Sequence, residues 1–89
     1  MKLSEEKRRK ISEQILAILF SNSPNSVFTS FIARETARDE EFIKRLLFDM
    51  KIKNLVIEIK KNSKGKKYTR RTRWSLSDVA YNAYKKSQE

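Results

Sequence analysis

Residues 28–56 read FTSFIARETARDEEFIKRLLFDMKIKNLV, and two short helices joined by a tight turn can be traced through them. Thr29 or Ser30 can cap the first, which carries Phe31, Ile32 and Ala33 and ends near Thr36. Ala37 and Arg38 leave only a tight connection before Asp39, a good N-cap residue. Glu40 and Glu41 follow it and suit the positive end of a helix dipole. The helix that opens there runs to about Lys53. Its Ile43, Leu46, Leu47 and Met50 fall at i, i+3, i+4 and i+7, so one stripe is apolar. Asn54 then stands where a helix end wants a left-handed residue, a position that Asn fills when Gly is absent.

The flanks extend this pattern. Ser4 can cap an N-terminal helix to about Phe20, with Ile11, Ile15, Ile18 and Leu19 on one face. Residues 21–25 (SNSPN) break it, and Val27 and Phe28 can form a very short strand. Residues 55–59 are β-branched and strand-like. Residues 62–65 make a turn around Gly65, the only glycine of the chain. A return strand over residues 68–76 would place Tyr68, Thr72, Trp74 and Leu76 on one face. Ser77 then caps a last helix in which Val79, Ala80, Ala83 and Tyr84 are available for packing.

The order is helix, short strand, helix, helix, strand, basic turn, strand, helix, an α+β arrangement. Residues 28–56 resemble the helix-turn-helix core of the winged-helix DNA-binding family. The matching features are Ile32-Ala33, the Asp39 cap, the Ile43/Leu47/Met50 stripe and Asn54-Leu55-Val56 leading into a hairpin. Residues 73–77 (RWSLS) resemble that family's second wing strand running into its final helix. The resemblance spans roughly residues 10–85, and in style it is nearest to small archaeal and archaeal-virus regulators. It implies a winged helix-turn-helix, a three-helix core with a β-hairpin wing and a short C-terminal helix. Residues 1–89 would form one domain, with the helix-turn-helix at about 29–53, the wing at about 55–76 and the C-terminal helix at about 77–87. One departure is Ala37, where the turn between the paired helices often holds Gly. A positive φ there would cost Ala about 1 kcal/mol.

Composition narrows the function. The chain has 89 residues and a net charge of +10, with neither His nor Cys. Disulfides, Cys/His zinc sites, and Ser-His-Asp or Cys-His catalysis are thereby excluded within it. One Gly cannot make a phosphate-binding or dinucleotide loop. No enzymatic activity, no cofactor and no metal are expected. The longest apolar run, residues 15–20, is far short of the ~20 residues that span a bilayer, and no secretory signal is expected. Low Gly, one Pro and abundant Lys, Arg, Glu and Ile resemble a thermophile's composition. Lack of Cys permits a reducing cytoplasmic setting.

The charge is concentrated. Residues 21–59 hold six basic and six acidic side chains. Residues 60–73 hold Lys60, Lys61, Lys64, Lys66, Lys67, Arg70, Arg71 and Arg73 and no acid, giving +8. That stretch is a candidate wing contact with a phosphate backbone or a minor groove. Alternation would send Arg71 and Arg73 to solvent and Arg70 to the Trp74 side.

In such proteins the second helix of the pair enters the major groove. Arg45 and Lys44 are the expected base or phosphate contacts, with Lys51 beside them. Glu40 and Glu41 can accept from cytosine amino groups or serve only the helix dipole. Thr29 and Ser30 can bind one phosphate or merely cap. Phe48 and Ile52 fall on the outward stripe with Glu41 and Arg45. They can pack under the wing or first helix, form a partner surface, or touch thymine methyls. Tyr81 and Tyr84 can contact a second subunit. The expected partner is double-stranded DNA, bound by a homodimeric, sequence-specific regulator. A protein–protein adaptor and a non-specific nucleic-acid-binding protein are the alternatives. No membrane role is expected, because the basic run is a hairpin and has no amphipathic helix.

Overall fold

The computed structural model describes residues 4–60 and 72–88. In chain order the elements are α1 (Glu5–Asn22), β1 (Val27–Phe28), α2 (Thr29–Thr36), α3 (Glu40–Ile52), β2 (Val56–Ile59), β3 (Arg73–Leu76) and α4 (Asp78–Gln88). The strands form one antiparallel sheet in the order β1-β3-β2. Three helices, a β-hairpin and a short final helix in this order are the winged helix-turn-helix architecture.

Local chemistry accounts for the element ends. Ser4 accepts the Lys7 backbone N–H at 3.2 Å and starts α1. That helix runs two residues beyond the expected Phe20, because the Asn22 amide donates to the Ile18 carbonyl and the Ser23 hydroxyl to that of Leu19. Asp39 caps α3 by accepting from the Phe42 N–H at 3.2 Å. Ser77 accepts from the Ala80 N–H at 3.1 Å at the start of α4. Its hydroxyl donates to the Asn54 carbonyl at 2.8 Å and ties α4 to the end of α3.

Both helices of the pair end in the same way. The N–H groups of Ala37 and Arg38 bond to the carbonyls of Arg34 and Ala33. Those of Asn54 and Leu55 bond to the carbonyls of Lys51 and Met50. Each is a Schellman closure, with its pivot residue at φ 55° (Ala37) and φ 62° (Asn54). Leu55 is spent on this closure, so β2 starts at Val56, one residue later than expected. The sequence thus has Ala in a left-handed position that Gly usually occupies.

The core lies where three helices meet one sheet face. Ile11, Ile15 and Leu19 of α1 join Ile32 and Ala33 of α2 and Ile43, Leu46, Leu47 and Met50 of α3. Val56 of β2, Trp74 and Leu76 of β3, and Ala80 of α4 complete it. Burying an Ile, Leu or Val side chain of this kind stabilises the fold by about 1.5–3 kcal/mol. The apolar stripe expected on α3 is therefore its inner face. Phe20 at the end of α1 packs against Tyr81 and Tyr84 at centroid distances of 5.3 and 4.7 Å, which seats α4.

Candidate nucleic-acid interface

With the inner face of α3 consumed by the core, its outer face is left to solvent. Glu40 and Glu41 in the first turn are exposed, as are Lys44 and Arg45 in the second. Among the described residues no carboxylate forms an ion pair with Lys44 or Arg45. Both cations are exposed and available to a ligand. At the other end of α3 the cations are engaged. Lys51 Nζ donates to Glu58 Oε1 at 2.8 Å, and Lys53 pairs with Asp49 at 3.2 Å. Lys60, where the chain leaves β2, approaches the same Glu58 oxygen at 3.7 Å.

Glu58 is notable because its side chain is only 3% exposed. It sits opposite Trp74 in the β2/β3 register and two residues from buried Val56, so it points to the inner side of the hairpin. The alternation Val56, Glu58 was the signal available in the sequence. A charge sum over residues 21–59, with six acids against six bases, conceals it.

Of the placements open to Phe48, the structure shows packing under the wing. The side chain is half-buried and meets the Trp74 ring edge-on, centroids 5.6 Å apart at 84°, with Lys51 Nζ 5.8 Å from its own centroid. The hairpin covers that flank of α3, so Phe48 packs beneath it. Ile52, one turn further on, is 83% exposed. Tyr81 and Tyr84, expected at a subunit contact, are half-buried against Phe20.

Thr29 requires a correction. Phe28, which has no capping acceptor, is the N-cap residue of α2. Thr29 is buried, and its N–H and hydroxyl donate to the Thr72 carbonyl at 3.2 and 3.3 Å. Its oxygen accepts the Trp74 indole N–H at 2.8 Å. No donor of Thr29 is left for a phosphate, and the residue leaves the candidate set. Ser30 is exposed and stays in it. Arg34, one turn along the same side of α2, and Arg38, before the α3 cap, are also exposed. Neither was singled out in the sequence, since Arg34 and Arg38 vanish in a neutral segment sum.

Of the eight basic residues in the wing stretch, Lys60 and Arg73 are described. Lys61, Lys64, Lys66, Lys67, Arg70 and Arg71 lie outside the described residues, as does the turn at Gly65. Arg73 is half-buried on the central strand, between Phe28 and Ile59 in register, whereas alternation alone sends it fully to solvent.

Among the described residues no helix is long and apolar enough to cross a membrane, and no cluster of three acidic, His or Cys side chains could hold a metal ion.

No protein-family profile matches the chain. No curated protein matches it either. Solved structures do. A MepR–DNA complex from S. aureus aligns with TM-score 0.71 at 18% identity over 94% of this chain and 68% of its own. A MepR variant from S. aureus gives 0.66 at 18% identity over 90% and 62%. A ZitR variant from Lactococcus lactis gives 0.65 at 17% identity over 99% and 52%. The chain thus spans roughly half to two thirds of the length of these proteins. At such identities the likeness is one of fold, and it agrees with the winged helix-turn-helix built above. These sources are bacterial, so the archaeal and viral affinity expected from the style of the sequence has no support among them.

Proposed function

We propose that this protein is a transcription regulator that binds double-stranded DNA with sequence preference, α3 in the major groove and the basic hairpin against the backbone or minor groove. The observation that carries this reading is the pair Lys44 and Arg45. Two cations stand exposed and without an ion pair among the described residues, in the second turn of a helix whose opposite face is fixed by the core. Side chains near the N-terminus of such a helix are the ones that reach base edges. Arg45 has the fork that matches guanine O6 and N7. Ser30, Arg34 and Arg38 would hold phosphates beside it, and the +8 stretch would supply most of the sequence-independent attraction. The occurrence of MepR in a DNA complex, on a similar fold, supports the reading. A homodimer acting inside the cell belongs to the same proposal.

Selection from a random duplex library tests it. A preferred site should emerge, and paired half-sites would report the dimer spacing. Arg45→Ala should relax the preference at one base pair, with about 1–3 kcal/mol of discrimination lost there. Enrichment of no site, or an unchanged preference in Arg45→Ala, would overturn the assignment.

A protein-binding adaptor is the second reading. The observation that favours it is Ile52, 83% exposed on the same stripe as Arg45. Ile52→Ser lowering affinity for a protein partner, with duplex binding absent, would select it.

A further inference from the structure

Glu58 is the buried acid of the interface, and the geometry around it is directional. Its Oε1 receives Lys51 from the last turn of α3 and Lys60 from the exit of β2, at 2.8 and 3.7 Å. Both lysines remain about half exposed, at 45% and 58% of their side chains, while the carboxylate is at 3%. The acid is therefore walled off from an incoming polyanion, and the cations are not. They stand at the junction of α3 and the hairpin, which on the reading above is where a DNA backbone would pass.

We propose that Glu58 is a specificity-determining residue of the nucleic-acid face: it holds Lys51 and Lys60 as an internal substitute for phosphate and so limits sequence-independent binding. The inference rests on the duplex-binding reading. A lysine held by a buried carboxylate adds little net charge and does not release a counterion by joining a phosphate. With Glu58 in place, backbone attraction is left to Ser30, Arg34, Arg38 and the basic stretch beyond Lys60, and base discrimination to Lys44 and Arg45. With Glu58 neutralised, two more cations can reach phosphates on any sequence. Total affinity then rises while the ratio of preferred to random sites falls.

The test measures binding to a random-sequence duplex by fluorescence anisotropy across a salt series. It compares the wild type, Glu58→Gln, and the triple variant Glu58→Gln/Lys51→Gln/Lys60→Gln, with the single tryptophan, Trp74, reporting folding by fluorescence. Each added phosphate contact steepens the slope of log affinity against log salt by about 0.9. Glu58→Gln should be steeper than wild type by about 1 to 2 and bind several-fold tighter at low salt. The triple variant, which removes the acid together with its cations, should return the slope to the wild-type value. An unchanged or shallower slope in Glu58→Gln overturns the proposal. So does a triple variant shallower than wild type by about 1 to 2, because the lysines would then already be on phosphates. If Glu58→Gln does not fold, the triple variant alone decides by the same criterion. If the wild type itself binds no duplex at low salt, the duplex reading fails first and takes this inference with it. That outcome is distinguishable because it appears before any substitution.

Discussion

Trp74, the only tryptophan, is fully buried, and its indole N–H donates to the Thr29 hydroxyl at 2.8 Å. That hydroxyl joins the start of α2 to β3, and so fixes the root of the hairpin against the helix pair. Thr29→Val keeps the shape and removes the acceptor. An orphaned buried donor costs about 1–3 kcal/mol. The added methyl in a site only 5% exposed offsets about 0.8 kcal/mol of it. The Thr72 carbonyl keeps the Thr29 backbone N–H, so its loss is minor. The net expectation is a destabilisation of about 0.2–2.2 kcal/mol, or about 1–18 °C in Tm for a domain of this size. Urea unfolding followed by Trp74 fluorescence measures it. The decisive comparison is the same substitution made in Trp74→Phe, followed by circular dichroism. Phe has no N–H to orphan, so Thr29→Val should there be neutral or slightly stabilising, and the coupling should be the full orphaned-donor cost of about 1–3 kcal/mol. A cost that is equal in both backgrounds would refute the reasoning, since the Thr29 effect would then owe nothing to the indole.

Two further outcomes follow from local backbone geometry. Ala37 at φ 55° carries left-handed strain, so Ala37→Gly should raise stability by about 0.5–1 kcal/mol despite the looser unfolded chain, visible as a Tm increase of a few degrees; a lower Tm would contradict it. Asp39→Ala removes the acceptor for the Phe42 N–H and should cost about 1 kcal/mol in urea unfolding, with Asp39→Ser close to wild type as the capping control.

The helix ends and the core were legible because they depend on near neighbours. Ser4, Asp39 and Ser77 cap within three residues of themselves, and Ile43, Leu46, Leu47 and Met50 share a face by period alone. The positive φ at Asn54 and the strain at Ala37 follow from where two helices must end. What escaped depends on partners far along the chain. Thr29 reads as a cap from its neighbours alone, yet it is the first residue of α2 and Trp74, 45 residues away, takes its oxygen. Phe48 points outward on a helix considered alone, which left packing under the wing as one of several placements, and the contact with Trp74 decides among them. Periodicity states which face a residue occupies and is silent on what comes to cover that face. The candidate site suffers most from this, because a binding surface is defined by whatever remains uncovered.

The same distinction changes the meaning of the neutral sum over residues 21–59. Four of its six cations, Lys44, Arg45, Lys51 and Lys53, fall between residues 44 and 53. In the structure the C-terminal two pair with acids, and among the described residues the N-terminal two do not. The pairs are unequal. Lys53 is exposed and Asp49 half-exposed, and such an i, i+4 pair is worth about 0.3–0.5 kcal/mol, a tether that a stronger anion can replace. Lys51 faces a carboxylate with 3% exposure, and removing that cation leaves a largely buried charge, with Lys60 at 3.7 Å as its remaining ion-pair partner among the described residues. Zero net charge is thus made of two kinds of cation, one committed inward and one available outward. On the proposed reading the available kind sits at the end of α3 that approaches base edges, and the committed kind at the end that would meet backbone. Sequence preference then depends on where the acids are placed as much as on how many bases the chain carries.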